Sequence, residues 1–148
     1  MKSLGNLSVI CFLTLSCIGC TLTPPVIIKL KSSENLNPDS EMHSLPVIVQ
    51  IYQLTDLDKF EQASFNDLWK KDSEILGGSL LSRKEFTILP NSETQIKLLK
   101  DSKTKYIAFL ALFRNPENND WRSSKKISVG ISPRTINIFL RSNILEVK

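Results

Sequence analysis

The chain has 148 residues, with 19 lysines and arginines against 15 aspartates and glutamates, and a formal net charge of +4. This excess is small and dispersed, which excludes the concentrated basic surface of a nucleic-acid-binding protein. All three cysteines lie within the first 20 residues and His43 is the single histidine, so the sequence offers no zinc site and no Cys-His pair.

The first twenty residues have the features of a secretory signal. Lys2 precedes an apolar stretch over residues 4–18, which is shorter than the roughly 20 residues of a membrane-spanning helix. Gly19 and Cys20 follow in an arrangement that resembles the bacterial lipobox, with Cys17 where that motif usually has leucine. We expect residues 1–19 to be a lipoprotein signal peptide and Cys20 to carry acyl chains. The alternative is an ordinary secretory signal with an incidental cysteine.

Residues 20–25 then form the lipidated cysteine and a short tether. Residues 21–25 span about 16 Å at most when fully extended, and Pro24 with Pro25 stiffens them. An aspartate after the lipidated cysteine commonly signals retention in the inner membrane. Because Thr21 stands there, we expect the outer membrane, with the folded domain on its periplasmic face.

Alternation of apolar and polar residues predicts about eight strands after residue 25. In PVIVQIYQL, for example, Val47, Val49 and Ile51 share one face, opposite Gln50 and Tyr52. The other segments are VIIKLK, KEFTIL, TQIKLL, YIAFLALF, KKISVGI, RTINIFLR and ILEVK. This pattern predicts an all-β domain over residues 26–148, built as a sandwich of two sheets.

Two segments depart from the strand pattern. A helical excursion is predicted at about residues 56–77, with Ser64 and Asp67 as an N-cap box and Gly77 as a C-terminal stop. Residues 32–45, SSENLNPDSEMHSL, have no apolar period and predict a long loop between the first two strands. Loops of this length in compact domains are usually functional or disordered.

Residues able to support enzymatic chemistry are scarce. A Ser-His-Asp triad would require His43 to be braced on the long loop. Asp67 and Asp72 are more simply explained as capping or solvated groups, and Trp69 as a core side chain rather than a ligand platform. We expect Trp121 to cover the core with an arginine stacked on it or bonded to backbone carbonyls. The sequence therefore predicts no enzyme, no metal site, no small-molecule substrate and no cofactor beyond the acyl lipid on Cys20.

Four segments, taken in order, resemble the TssJ family (also called VasD or SciN), the outer-membrane lipoproteins of type VI secretion systems. They are PVIVQIYQLTDLDKF, SFNDLWKKDSEILGGSLL, LPNSETQIKLL and YIAFLALFRNPENNDWR. In the last of them Ala111, Phe113 and Arg114 precede a polar turn, after which Trp121 and Arg122 complete the family pattern.

The resemblance implies a transthyretin-like β-sandwich that helps to tether a secretion apparatus to the outer membrane. It also implies a partner, the periplasmic C-terminal region of a TssM-like inner-membrane protein, which in turn associates with TssL. In the family, the loop between the first two strands carries much of the contact. The matching residues here are Leu36, Asn37, Pro38, Asp39, Ser40, Glu41, Met42, His43, Ser44 and Leu45, without the glycine that family loops often contain.

An alternative function is an unrelated outer-membrane lipoprotein whose sandwich binds glycan or peptidoglycan. Aromatic side chains aligned on one sheet would favour it. With two tryptophans and two tyrosines in the chain, the aromatic supply for such a surface is small.

Overall fold

The computed structural model describes residues 24–127 and 134–148. Within them lie eight strands and two helices, the second helix running into a 3-10 turn at Gly77–Ser79. The elements in chain order are β1 (Val26–Ser32), β2 (Val47–Leu54), α1 (Asp58–Gln62), α2 (Phe65–Leu76), β3 (Leu80–Ile88), β4 (Glu93–Leu98), β5 (Tyr106–Ala111), β6 (Arg122–Lys126), β7 (Arg134–Arg141) and β8 (Ile144–Val147).

The strands form two sheets of four, in the orders β4-β1-β7-β8 and β3-β2-β5-β6. Strands β1 and β7 pair in parallel, with Val26 opposite Arg134, while the other pairs are antiparallel. The predicted two-sheet β-sandwich with an inserted helical excursion is confirmed. The excursion falls between β2 and β3, as the sequence predicted.

The core lies between the two sheets and follows the predicted alternation. In β1 the side chains of Val26, Ile28 and Leu30 are buried, and those of Lys29 and Lys31, on the opposite face, are exposed. Strand β5 is buried on both faces from Ile107 to Ala111, as expected for a central strand. Burial of these side chains away from water supplies the main driving force for the fold.

From Val49 to Leu54 strand β2 is buried on both faces, although Gln50 and Tyr52 lie on the side away from the sandwich core. Their exposed fractions are 3% and 0%, because helices α1 and α2 cover that side of the sheet. The ring of Tyr52 lies 5.7 Å from that of Phe60 in α1, and its hydroxyl donates a 2.6 Å hydrogen bond to Gln50. The helical excursion thus forms a third layer over β2.

The expectation that Asp72 is a capping or solvated group is wrong. Asp72 is buried beneath α2, where its carboxylate accepts a 2.5 Å hydrogen bond from Arg83 of β3 and lies 3.2 Å from the hydroxyl of Tyr52. Burial and the nearby charge of Asp72 raise the pKa of Tyr52 far above its usual range. A buried carboxylate is tolerated here because it has a charged partner and hydrogen bonds.

The boundaries of α2 agree with the sequence. Ser64 accepts a hydrogen bond from the backbone N–H of Asp67 at 3.2 Å and donates one to its carboxylate at 2.6 Å, so the predicted N-cap is confirmed. At the other end Gly77 adopts φ 50°, a left-handed conformation that glycine reaches without steric cost. The helix is interrupted at Lys71, which has φ −139°.

Some predictions lie outside the described residues. These are the signal peptide over residues 1–19, Cys20 with the start of its tether, and the end of the predicted strand KKISVGI beyond residue 127. Strand β6 begins three residues before that prediction, at Arg122.

Candidate partner-binding surface

The loop over residues 33–46 joins the two sheets, and its first part is anchored in the domain. Leu36 is fully buried in the core, and Asn37 is 3% exposed. The backbone N–H of Leu45 donates to the carbonyl of Leu36 at 3.0 Å, which closes the loop at its base. These residues therefore hold the loop in place and leave only its tip free to meet a partner.

Asn37 connects the loop to two other turns and to its own base. Its backbone N–H donates to the carbonyl of Ser142 at 2.7 Å. Its side-chain oxygen accepts from the backbone N–H of Arg114 at 2.8 Å, and its side-chain nitrogen donates to the carbonyl of Pro46 at 2.9 Å. It also adopts φ 46°, a left-handed conformation that asparagine tolerates better than most residues. Asparagine therefore suits this position both for its side-chain hydrogen bonds and for its tolerance of a positive φ.

The tip of the loop is a tight turn organised by Asp39. Its carboxylate accepts hydrogen bonds from the backbone N–H groups of Glu41 and His43, both at 2.9 Å, and lies 3.3 Å from the imidazole of His43. The hydrogen bond from the His43 backbone is the largest cause that lowers the pKa of Asp39. Met42, at φ 65°, is 74% exposed at the end of this turn. An ordered turn therefore presents an apolar side chain to solvent.

The ten loop residues predicted from the sequence fall into three groups. Leu36 and Asn37 are buried, and four others, namely Pro38, Asp39, Ser44 and Leu45, are half-buried. The exposed group consists of Ser40, Glu41, Met42 and His43. The third group forms the loop tip and is the part of the loop most open to a partner.

Two open depressions share Arg114 as a lining residue, and the first of them is also lined by the loop tip. The first, of about 660 Å³, lies among Pro38, Met42, Arg114 and Asn143. The second, of about 520 Å³, lies between β2, the start of α2 and the β5–β6 connection. It is the more apolar of the two, with Ile48, Phe65, Trp69, Leu112, Phe113 and Pro116 in its lining.

Trp69 lines the second depression and is 48% exposed, so the expectation that it packs in the core is wrong. The position nearer the core belongs to Phe65, whose ring lies 5.3 Å from that of Trp121 and 6.2 Å from that of Trp69. Ile48, 40% exposed, lines the same depression. The alternation of β2 was the available signal for Ile48, since it places that side chain opposite Val47 and Val49.

Trp121 and Arg122 have the structural role predicted for them. Trp121 is 4% exposed, and the guanidinium of Arg122 lies 4.6 Å from the centre of its ring. Arg122 also donates hydrogen bonds to the backbone carbonyls of Phe60 at 2.7 Å and Ala63 at 2.8 Å. These carbonyls stand at the end of α1, so Arg122 attaches the helical layer to β6.

The polar groups at the loop tip are open to solvent. The side chain of His43 is 68% exposed and lies near Asp39 and Glu41, in a turn that forms no enclosed cleft. Among residues 24–127 and 134–148, no group of three or more His, Cys, Asp or Glu side chains is placed to hold a metal ion. No helix in this part of the chain is long and apolar enough to cross a membrane.

Residues 24–143 match a protein family described as type VI secretion lipoprotein, VasD, EvfM, TssJ. The match covers the loop, the helical excursion and every strand except β8. The chain belongs to the type VI secretion lipoprotein family. Lipoproteins of this family are components of a secretion membrane complex, and the resemblance found in the sequence is confirmed.

Several solved protein structures share the fold of this type VI secretion lipoprotein. The T6SS lipoprotein TssJ1 from Pseudomonas aeruginosa is 26% identical with a TM-score of 0.79, over 84% of this chain and 95% of that one. A chain of a type VI membrane complex is 25% identical with a TM-score of 0.78, over 84% and 98%. A chain in a structure described as the T6SS protein TssM C-terminal domain from EAEC, 22% identical, has the same fold with a TM-score of 0.73, over 85% and 98%. No curated protein sequence matches this chain.

Proposed function

We propose that this lipoprotein tethers a type VI secretion membrane complex to the outer membrane. Acyl chains on Cys20 hold it in the inner leaflet, and the loop over residues 36–45 binds the periplasmic region of a TssM-like inner-membrane protein. Through that protein the tether reaches TssL. The domain acts as a non-enzymatic connector, with its two attachments in series and no cofactor besides the lipid.

The observation that carries this proposal is the ordered loop with an exposed apolar tip. A loop held by a rigid scaffold is a common recognition device, since little conformational entropy is lost when it binds. Asn37 fixes the base of the loop, Asp39 fixes its tip, and Met42 is exposed in the turn that Asp39 organises. An unbranched, polarisable methionine side chain adapts well to an apolar pocket on a partner.

The surface beside the loop extends the proposed contact. Arg114 lines both depressions, so we expect a partner that binds across Arg114 to contact Met42 on one side and Trp69 with Ile48 on the other. Exposed tryptophan and arginine side chains are the residue types that contribute most at protein interfaces. Asp39 and Glu41 give the loop tip a negative charge, which favours a partner surface with basic groups and would set orientation more than affinity.

The membrane attachment rests on Cys20. The described fold begins at Val26, six residues after that cysteine, so residues 21–25 alone separate the lipid from the sandwich. One acyl chain binds a membrane only marginally, whereas the three chains of a bacterial lipoprotein anchor it stably. A Cys20→Ser chain is therefore expected to fold normally and to be lost from the outer-membrane fraction.

The decisive experiment measures binding of residues 21–148 to the periplasmic domain of the TssM-like protein from the same genome. The described core lies after residue 25, so this chain retains both sheets. We expect Met42→Ser and Trp69→Ser each to weaken binding by about tenfold or more, the effect of losing one well-packed contact. Leu99→Ser is the matched control, because Leu99 is 69% exposed at the opposite end of the sandwich.

The outcomes separate the parts of the proposal. Loss of binding in the Met42 variant, with the control unchanged, supports the loop as the contact. Binding kept by the Met42 and Trp69 variants would move the contact elsewhere and leave the tether role standing. No binding by the unmodified chain would refute the tether and favour the glycan- or peptidoglycan-binding lipoprotein.

A further inference from the structure

The two ends of the sandwich carry opposite charge. We call the end that holds the loops over residues 33–46, 112–121 and 142–143 the loop pole, and the end where β1 begins the N-terminal pole. The loop pole has one arginine, Arg114, in these three loops. Its acidic side chains there are Glu34, Asp39, Glu41, Glu117 and Asp120.

Strand register defines which residues meet at the N-terminal pole. Val26 is opposite Leu98 of β4 and Arg134 of β7 in one sheet. In the other sheet Tyr106 of β5 is opposite Leu54 of β2 and Lys126 of β6. The two sheets are joined at this end by Gln53, whose side chain donates to the carbonyl of Leu99 at 2.9 Å and accepts from the N–H of Asp101 at 2.9 Å.

This pole is basic. In the connections that directly follow β2 and β4, residues 55–57 and 99–105, the acidic side chains are Asp56 and Asp101. Each accepts a hydrogen bond from a backbone N–H, that of Asp58 at 2.9 Å and that of Lys103 at 2.8 Å respectively. The pole's exposed basic side chains, which form no ion pair within the described part of the chain, are Lys97, Lys103, Lys105, Lys125, Lys126 and Arg134. A cluster of cations left without salt-bridge partners is open to an anionic surface.

An exposed apolar side chain lies among these cations. Leu99 directly follows β4, its carbonyl is held by Gln53, and it is 69% exposed. Basic groups around a protruding leucine suit an interface between water and lipid, where the cations meet phosphate and the apolar side chain enters the acyl boundary.

We propose that the N-terminal pole is a membrane-contact surface that binds phosphate-bearing lipid headgroups through Lys97, Lys105, Lys125, Lys126 and Arg134. The inference deepens the proposed anchoring at Cys20, because the chain from Cys20 enters the fold at this pole and residues 21–25 reach about 16 Å at most. Headgroup contact then fixes the tilt of the domain, which acyl chains on a short tether leave free.

A consequence is that the loop pole faces away from the leaflet. A strand of seven residues such as β1 is roughly 23 Å long, so the acidic tip with Met42 lies at about that height above the headgroups. This separation exceeds the Debye length of about 8 Å at physiological salt. The partner surface therefore remains clear of the membrane while the basic pole is engaged.

Vesicle binding of residues 21–148, which have no lipid of their own, tests the proposal. The probes are vesicles of phosphatidylcholine alone and of phosphatidylcholine mixed with phosphatidylglycerol, at low and at high salt. We expect sedimentation with the phosphatidylglycerol vesicles only, and its loss at high salt. Equal binding to both vesicle types, or no binding to either at low salt, would overturn the proposal.

Charge reversal locates the surface. The variant Lys125→Glu/Lys126→Glu is expected to bind phosphatidylglycerol vesicles at least about tenfold more weakly. The matched control Lys29→Glu/Lys84→Glu makes the same change in net charge at exposed positions within β1 and β3 and is expected to bind like the unmodified chain. Equal weakening in both variants would overturn the proposal, because it would show a response to net charge alone.

The same variants separate this inference from the tether function. Lys125→Glu/Lys126→Glu lies at the pole away from the loop, so its affinity for the TssM-like domain is expected to be unchanged. Vesicle binding without partner binding would refute the tether alone, and partner binding without vesicle binding would refute the membrane-contact surface alone.

Discussion

The side-chain oxygen of Asn37 accepts a hydrogen bond from the backbone N–H of Arg114 at 2.8 Å, across 77 positions of sequence. This contact joins the long loop to the connection between β5 and β6. Arg114 lines both depressions beside the loop, so Asn37 also fixes the relative position of the candidate surface's two halves.

Replacing Asn37 with alanine should destabilise the domain by about 2 kcal/mol. The change removes two hydrogen bonds of the Asn37 side chain and leaves an alanine, which tolerates a left-handed conformation less well than asparagine, at φ 46°. Urea unfolding of residues 21–148 measures the effect. Asn91→Ala is the control, because Asn91 has φ 49° but is exposed in a turn, so it isolates the cost of the backbone conformation. Equal losses in both variants would contradict a role for the Asn37 side chain.

The pKa of Asp39 predicts how the loop tip responds to acid. Because this pKa is lowered in the folded chain, the carboxylate continues to accept its backbone hydrogen bonds below the usual aspartate value of about 3.9. That interaction is present above this value and is lost as pH falls through the folded pKa. We expect the amide NMR signals of Glu41 and His43 to shift together, with a midpoint below about 3.9. A midpoint at or above 3.9, or independent shifts, would contradict the turn described here.

Tyr52 predicts a loss of stability at alkaline pH. Burial, and then the charge of Asp72, raise its pKa, so the unfolded chain releases the tyrosine proton at about pH 10 while the folded chain retains it. Tyr52 therefore makes no pH-dependent contribution to the free energy of unfolding below pH 10. Above pH 10 this group lowers the free energy of unfolding by about 1.4 kcal/mol per pH unit. Unfolding of the unmodified chain and of Tyr52→Phe between pH 8 and about 11 measures the difference. Parallel pH profiles would contradict the prediction.

Replacing Arg122 with lysine should loosen the helical layer. Arg122 donates to the carbonyls of both Phe60 and Ala63 and stacks on Trp121, and a lysine ammonium does not reproduce the planar guanidinium geometry. We expect a loss of about 1–2 kcal/mol in unfolding free energy and faster hydrogen exchange in α1. Arg114→Lys, at an exposed position, should change stability by less than about 0.5 kcal/mol. No difference between the two variants would argue against Arg122 as the attachment of α1.

The sequence by itself determined the order of the strands, though not the start of β6, together with the N-cap at Ser64, the stop at Gly77 and the family. These features depend on local periodicity, on capping chemistry and on the order of motifs along the chain. Alternation also placed Gln50 and Tyr52 correctly on the opposite face of β2 from Val49. Alternation did not reveal that this face of β2 is covered, because α2 and β2 pack against each other only in the folded state.

The tertiary structure alone decided which polar and aromatic groups are buried. Asp72 of α2 is buried because Arg83 of β3 and Tyr52 of β2 bond to its carboxylate in the folded chain. Trp69 is exposed because Phe65 packs against Trp121 in its place. In the loop, Leu36 and Asn37 became its base and Met42 its tip, although all three belong to one unpatterned segment. The opposite charge of the two poles has the same origin, since basic residues from β4, β6 and β7 meet only when the strand ends are aligned. Periodicity predicts on which side of its own strand or helix a residue lies. Whether that side is buried, and which charges surround it, depends on the segments that pack against it.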